Sequence, residues 1–201
     1  MRRMTRDRLA CSLAAVLAVL CIYYRGSVEA VLAFALPVAA HELSHLLAIR
    51  LLGLKLLALR AEPQGLCIRY SGSCSDKGCL AVALAGPCGG FLYAVCAGVM
   101  GKAEWLARSA ELSVLLSAFN LLPILPLDGG RVFSQLCLMQ LGTDAGTQRY
   151  RAVSTLMLAA VLLAGAAAVY WLHASAPLAA GIWLLLFQNE GNPLEKNRNI
   201  L

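Results

Sequence analysis

Inside an apolar run the chain carries His41-Glu42-Leu43-Ser44-His45. Residues four apart on an α-helix project from one face, so the two imidazoles can bind the same ion. Imidazoles at this spacing suit zinc, and the carboxylate beside the first can reach a water in the ion's open position. The chemistry of such a set is hydrolysis. The ion lowers the pKa of its water from ~15.7 towards ~7, and the carboxylate takes a proton as that water attacks a carbonyl. The plainer reading, polar side chains satisfied by neighbouring helices, is disfavoured by the setting. Ionisable groups within a membrane segment are costly and functional by default.

A catalytic zinc generally takes three protein ligands and a water. The sequence offers Asp128, at the end of another apolar run, in Asn120-Leu121-Leu122-Pro123-Ile124-Leu125-Pro126-Leu127-Asp128-Gly129-Gly130-Arg131. Broken backbone at such a depth is tolerated where it is buried in protein or lines a cavity. A glycine directly after the acid lets the chain turn tightly and come close to a ligand.

These motifs need apolar elements to carry them, and the composition supplies little else. Of 201 residues, 60% are apolar and 14% charged, against about 45–50% and 25% in soluble domains. A soluble enzyme and a disordered chain are both excluded. Apolar runs fall at about 9–24, 28–52, 80–100, 112–127, 152–172 and 177–188. They predict an all-α polytopic membrane protein of about six transmembrane helices, forming one domain over residues 1–201. The first run follows Met1-Arg2-Arg3 but lacks a convincing cleavage site, and is read as an anchor. The net charge of +6 is scattered between apolar runs without a basic stripe, so no nucleic-acid partner is expected. The eight cysteines form no disulfide framework, and the spacing of Cys67, Cys74 and Cys79 fits no strong zinc pattern.

With the amino terminus inside, 14 of the 17 Lys and Arg residues fall on the cytoplasmic side, and Arg25, Lys102 and Arg108 outside. That asymmetry predicts a multi-pass protein with both termini cytoplasmic. After the second span, residues 53–79 contain short alternating stretches broken by Pro63-Gln64-Gly65 and Ser71-Gly72-Ser73, the pattern of a short cytoplasmic β-hairpin-like loop. Residues 129–151 are expected to start as a helix after Gly129-Gly130 and to end in the polar stretch 142–147. In this topology the His41/His45 pair lies roughly 10–16 Å from the cytoplasmic end of its helix, a depth compatible with Asp128.

The pair of motifs, His41-Glu42-Leu43-Ser44-His45 and Asn120 to Gly130, resembles the signatures of the site-2 protease family of intramembrane zinc metalloproteases. Ala85-Gly86-Pro87 opening the third span, the six-span layout and the hairpin-like loop resemble it too, over roughly residues 10–190. The nearest subgroup is the sporulation type, which releases a sigma factor from its pro-sequence. The chain departs from it in having Cys88-Gly89-Gly90 where many members carry a polar residue, often Asn, and in showing no CBS or PDZ domain.

The resemblance implies one catalytic Zn2+ held by His41, His45 and Asp128, with Glu42 as the catalytic base. It implies that Asn120 binds the substrate backbone or the oxyanion. The expected substrates are membrane-embedded or membrane-associated proteins, cut near the cytoplasmic face of a bacterial cell membrane. A strand of the 53–79 loop is placed to receive the unwound substrate. A transcription or sigma factor is one product so released; a regulatory membrane protein and self-association are further partners. Two rivals stand beside this. A transporter would conduct zinc or protons through the intramembrane His and Glu, and a catalytically inactive scaffold would bind without cutting. Pro37 is read as a membrane proline able to bend its helix, His173 as an interfacial residue, and Arg131 as a marker of the cytoplasmic surface.

Overall fold

The computed structural model describes residues 28–62, 65–71, 75–100, 103–125 and 127–173. The chain divides between Leu121 and Leu122 into two compact units. The first holds α1 (Val28–Leu51), β1 (Lys55–Glu62), β2 (Gly65–Ser71), α2 (Asp76–Met100) and α3 (Glu104–Asn120). The second holds α4 (Asp128–Leu141) and α5 (Thr143–Leu172).

Three stretches, Val28–Leu51, Asp76–Met100 and Thr143–Trp171, are helices long and apolar enough to cross a membrane. They mark an integral membrane protein. The expected first and last spans, 9–24 and 177–188, lie outside the described residues.

Helix α1 shows how these helices sort their faces. Its buried residues are Ala33, Pro37, His41, His45 and Ile49, one every fourth position, whereas Leu43, Leu47 and Leu51 point outward. A helix apolar all round has no solvent-facing side in the ordinary sense, so the buried stripe is chosen by what packs closely and the rest is left to lipid. Pro37 belongs to that stripe and is fully buried. Glu29 in the first turn and Arg50 in the last complement the helix dipole. The helix stops at Gly53, whose φ of 68° lies in the left-handed region. Gly53 N–H donates to Arg50 O and Leu54 N–H to Ile49 O, both at 3.1 Å, the paired bonds of a Schellman cap.

The chain then forms a two-stranded antiparallel sheet, with Lys55 opposite Ser71 and Glu62 opposite Gly65. The register shifts between Leu56 and Ala58, a bulge that adds local twist.

Helices α1, α2 and α3 pack on one another through small residues. On α3, Ser109, Ser113 and Ser117 are fully buried at four-residue spacing. Tyr93 and Ser109 share a hydroxyl–hydroxyl hydrogen bond of 2.7 Å, and Ser113 Oγ donates to Gly90 O at 2.7 Å. Small and hydroxyl side chains let membrane helices approach closely and bond across the gap.

Two sequence expectations are corrected here. The run 112–127 is not one helix: α3 starts earlier, at Glu104, and ends at Asn120, before the irregular segment around Pro123. Hydropathy passes over its start because Glu104 and Arg108 are charged, yet they sit four apart and pair at 3.5 Å on the exposed face. The polar stretch 142–147 does not end the helical region either. Gly142 alone breaks the chain, with φ 77°, and α5 starts at Thr143. There the Thr147 hydroxyl donates to Thr143 O at 2.6 Å.

Candidate metal centre

Within the first unit the HExxH motif lies on α1, and the buried stripe turns both histidines inward. His41 is 5% and His45 7% exposed. Their Nε2 atoms lie 3.3 Å apart, and their rings meet edge to face, with centroids 4.9 Å apart. Two nitrogens bound to one tetrahedral zinc at the usual length of about 2.0–2.1 Å are separated by roughly 3.3–3.4 Å. The pair therefore has the spacing of two ligands on one ion. Glu42 is half-buried on the adjoining face of the helix.

Helix α2 comes very close to the two imidazoles. A Cβ built on Gly86 would stand 2.2 Å from His45 Nε2 and 2.7 Å from His41 Nε2. Any residue but glycine would therefore strike both rings, so Gly86 is what lets the α2 backbone approach them. One turn further on, a Cβ on Gly89 would strike Ser44 Oγ at 1.7 Å, and one on Gly90 would strike Ser117 Oγ at 2.1 Å. Gly86, Gly89 and Gly90 thus let α2 press against α1 on one side and α3 on the other. The departure of Cys88-Gly89-Gly90 from its relatives has this packing consequence, which residue type by itself did not reveal.

His45 is also held from behind. Its Nδ1 lies 2.8 Å from the carbonyl oxygen of Val82, in buried surroundings. A carbonyl only accepts, so Nδ1 carries the hydrogen and donates it, leaving the Nε2 lone pair for a metal. Nothing in the sequence pointed to Val82, because the group that acts is its backbone.

Asn120 is the last residue of α3, and its Nδ2 donates to Leu116 O at 2.9 Å. One side-chain N–H is thereby spent on the helix's own carbonyl, and the amide has a second.

In the second unit Asp128 is the first residue of α4 and is 6% exposed. Its carboxylate stands at the positive end of the helix dipole. Arg131, three residues on, places Nη1 3.6 Å from Asp128 Oδ1. Arg131 is thus a partner of the acid as well as a surface cation, which the sequence reading missed although the spacing of three on a helix signals it. The segment leading to Asp128 is pinned twice. Leu125 N–H donates to Tyr150 Oη of α5 at 3.1 Å, and that hydroxyl donates to Ser154 Oγ at 3.4 Å. Ile124 is fully buried, and a Cβ on Gly130 would lie 2.4–2.6 Å from the Ile124 carbonyl group. Each of these residues, His41 and His45 in the first unit and Asp128 in the second, is buried and has one atom able to bind a metal. His173, by contrast, is exposed at the end of α5 in a left-handed conformation, φ 51°.

Comparison with known proteins agrees with the class that this site and fold define, a membrane metallopeptidase. The family model of peptidase family M50 matches residues 97–165. The fold is similar to that of the site-2 protease from Methanocaldococcus jannaschii, with a TM-score of 0.67 and 16% identity, over 90% of this chain and 87% of the other. No curated protein matches. The resemblance read from the two motifs is therefore met by both a family match and a shared fold.

Proposed function

We propose that the protein is a zinc-dependent intramembrane endopeptidase. It cuts membrane-embedded or membrane-associated proteins near the cytoplasmic face. The observation that carries this reading is the pair of buried Nε2 atoms 3.3 Å apart on an apolar helix, against which α2 packs closely at Gly86.

In this reading His41, His45 and Asp128 hold a single zinc ion. Two neutral imidazoles and one carboxylate are a donor set zinc accepts. When bound, the ion supplies Lewis-acid activation of water and of the scissile carbonyl. Glu42 takes the proton of the attacking water and passes it to the leaving amine. Asn120 offers its second Nδ2 hydrogen to the substrate backbone. The helical turn at Asp128 and the bond from Arg131 keep the carboxylate oriented.

A transmembrane substrate hides its peptide bonds in helical hydrogen bonds and must unwind to be cut. Among the described residues the β1–β2 sheet has two strands, each with one edge not paired by another described strand, and an unwound segment can add there. Six spans with both termini cytoplasmic, in a bacterial cell membrane, are part of the same proposal, supported by the 14-to-3 division of basic residues. A membrane-tethered transcription or sigma factor is the substrate class to try first, with a regulatory membrane protein and self-association as further partners.

The test is co-expression of the wild type and of Glu42→Gln with membrane-tethered candidate factors, followed by gel detection of a released fragment. The fragment should appear with the wild type only. The same fragment with both proteins, or zinc flux into vesicles without any cleavage, would overturn the proposal.

A further inference from the structure

We infer that the backbone carbonyl of Val82 is a positioning group of the metal centre, fixing the tautomer and ring orientation with which His45 meets the ion. The inference rests on the zinc reading above and deepens it.

Both edges of the His45 ring are governed by one turn of α2. The Nδ1 edge donates to Val82 O at 2.8 Å. The Nε2 edge packs against Gly86, where a Cβ would lie 2.2 Å from Nε2 and 2.6 Å from Cε1. Val82 and Gly86 are four residues apart and both buried, so they share the face turned to α1. The same turn is loosened by Pro87, which has no N–H for the carbonyl of Ala83 and whose ring presses on that carbonyl. With His45 only 7% exposed, water competes poorly for Nδ1. A histidine ligand that gives its second N–H to a carbonyl is held in one tautomer and made more basic, and disturbing such a partner typically costs ~10–100-fold in metal affinity.

Because the acting group is backbone, the decisive change is made in the backbone. Replacing Ala83 with lactate turns the Val82–Ala83 amide into an ester, whose carbonyl is a weaker acceptor. The same replacement at the exposed Ala81 removes an N–H from the same helix but leaves the Val82 carbonyl an amide. Two measurements are made in detergent micelles: zinc affinity by chelator competition, and the 15N spectrum of zinc-depleted protein labelled at its 3 histidines. The expected result is a zinc dissociation constant raised about 10-fold by the ester at position 83 and less than about 3-fold by that at 81. His45 in the zinc-depleted wild type should show a protonated Nδ1 and a bare Nε2. Equal zinc affinity of the two esters, or a His45 protonated at Nε2 alone, would overturn the inference. The nitrogen spectrum needs no bound metal. Failure of the wild type to bind zinc would therefore sink the functional proposal, while the tautomer still decides this one.

Discussion

Gly86 and His45 approach so closely that a Cβ on the glycine would sit 2.2 Å from the ring's Nε2. Only a displacement of the imidazoles or of the helix relieves this clash, and either takes Nε2 from its present place. Gly86→Ala should therefore abolish stoichiometric zinc binding. The control is Gly98→Ala on the same helix, where nothing lies within 4 Å. It should keep the metal, and zinc per protein chain, measured after purification, separates the two.

In the proposed mechanism Glu42 acts as the base and does not hold the ion, unlike His41 and His45 on the same helix. Glu42→Gln should retain zinc within a factor of about two and lose ~10²–10⁴ in cleavage rate, the usual worth of a general base. His41→Ala and His45→Ala should lose both. A Glu42→Gln protein that cleaves normally would remove the base from the mechanism.

Asp128 is buried at a helix start with Arg131 beside it. Asp128→Asn keeps the shape but removes the charge, and is expected to weaken zinc at least ~10-fold, the scale of a disturbed ligand shell. Arg131→Ala should produce a smaller loss, because its guanidinium is half exposed and solvent screens the pair. Chelator competition on both variants gives the ranking.

The segment before Asp128 depends on a hydroxyl from the next helix. Tyr150→Phe leaves the half-buried Leu125 N–H without that acceptor, a loss of about 0.5–1.5 kcal/mol. Its measurable consequences are a lower melting temperature and faster proteolytic nicking within residues 122–127. An unchanged nicking rate would show that the hydroxyl does not hold this segment.

Ser117 and Gly90 make a compensation test. The Ser117 Oγ is buried without a hydrogen-bond partner among the described residues, so Ser117→Ala should be neutral or stabilising. Gly90→Ala alone brings a Cβ to 2.1 Å from that oxygen and should cost about 1–3 kcal/mol by overpacking. In the double variant the nearest Ser117 atom is its Cβ, at the ordinary contact distance of 3.5 Å. Stability should return. Thermal unfolding in detergent of the two single variants and the double one reads the coupling.

Much of the site was legible because it is local. His41 and His45 share a face through the 3.6-residue repeat, which any helix imposes, and an apolar run of this length is helical because the bilayer leaves the backbone no other partner. Asp128 stood out as an acid among prolines and glycines at the end of an apolar run. Element boundaries were harder. Hydropathy merged 112–127 into one span, although Asn120 ends α3, and it split the polar 142–147 from the helix that begins at Thr143. A charged exposed turn lowers the average hydropathy of a window although it is helical, and a single left-handed glycine barely changes it.

The amino-acid order alone thus determined the shared face of His41 and His45, the carboxylate beside them and the membrane setting, since each depends on spacing and composition along one chain. The closeness of Gly86 to both imidazoles, the Val82 carbonyl behind His45, the Tyr150 anchor and the seat of Ser117 were decided only by tertiary packing. They join atoms from different segments, and in each of them one partner contributes only backbone: a missing Cβ, a carbonyl or an N–H does not announce its partner in the sequence.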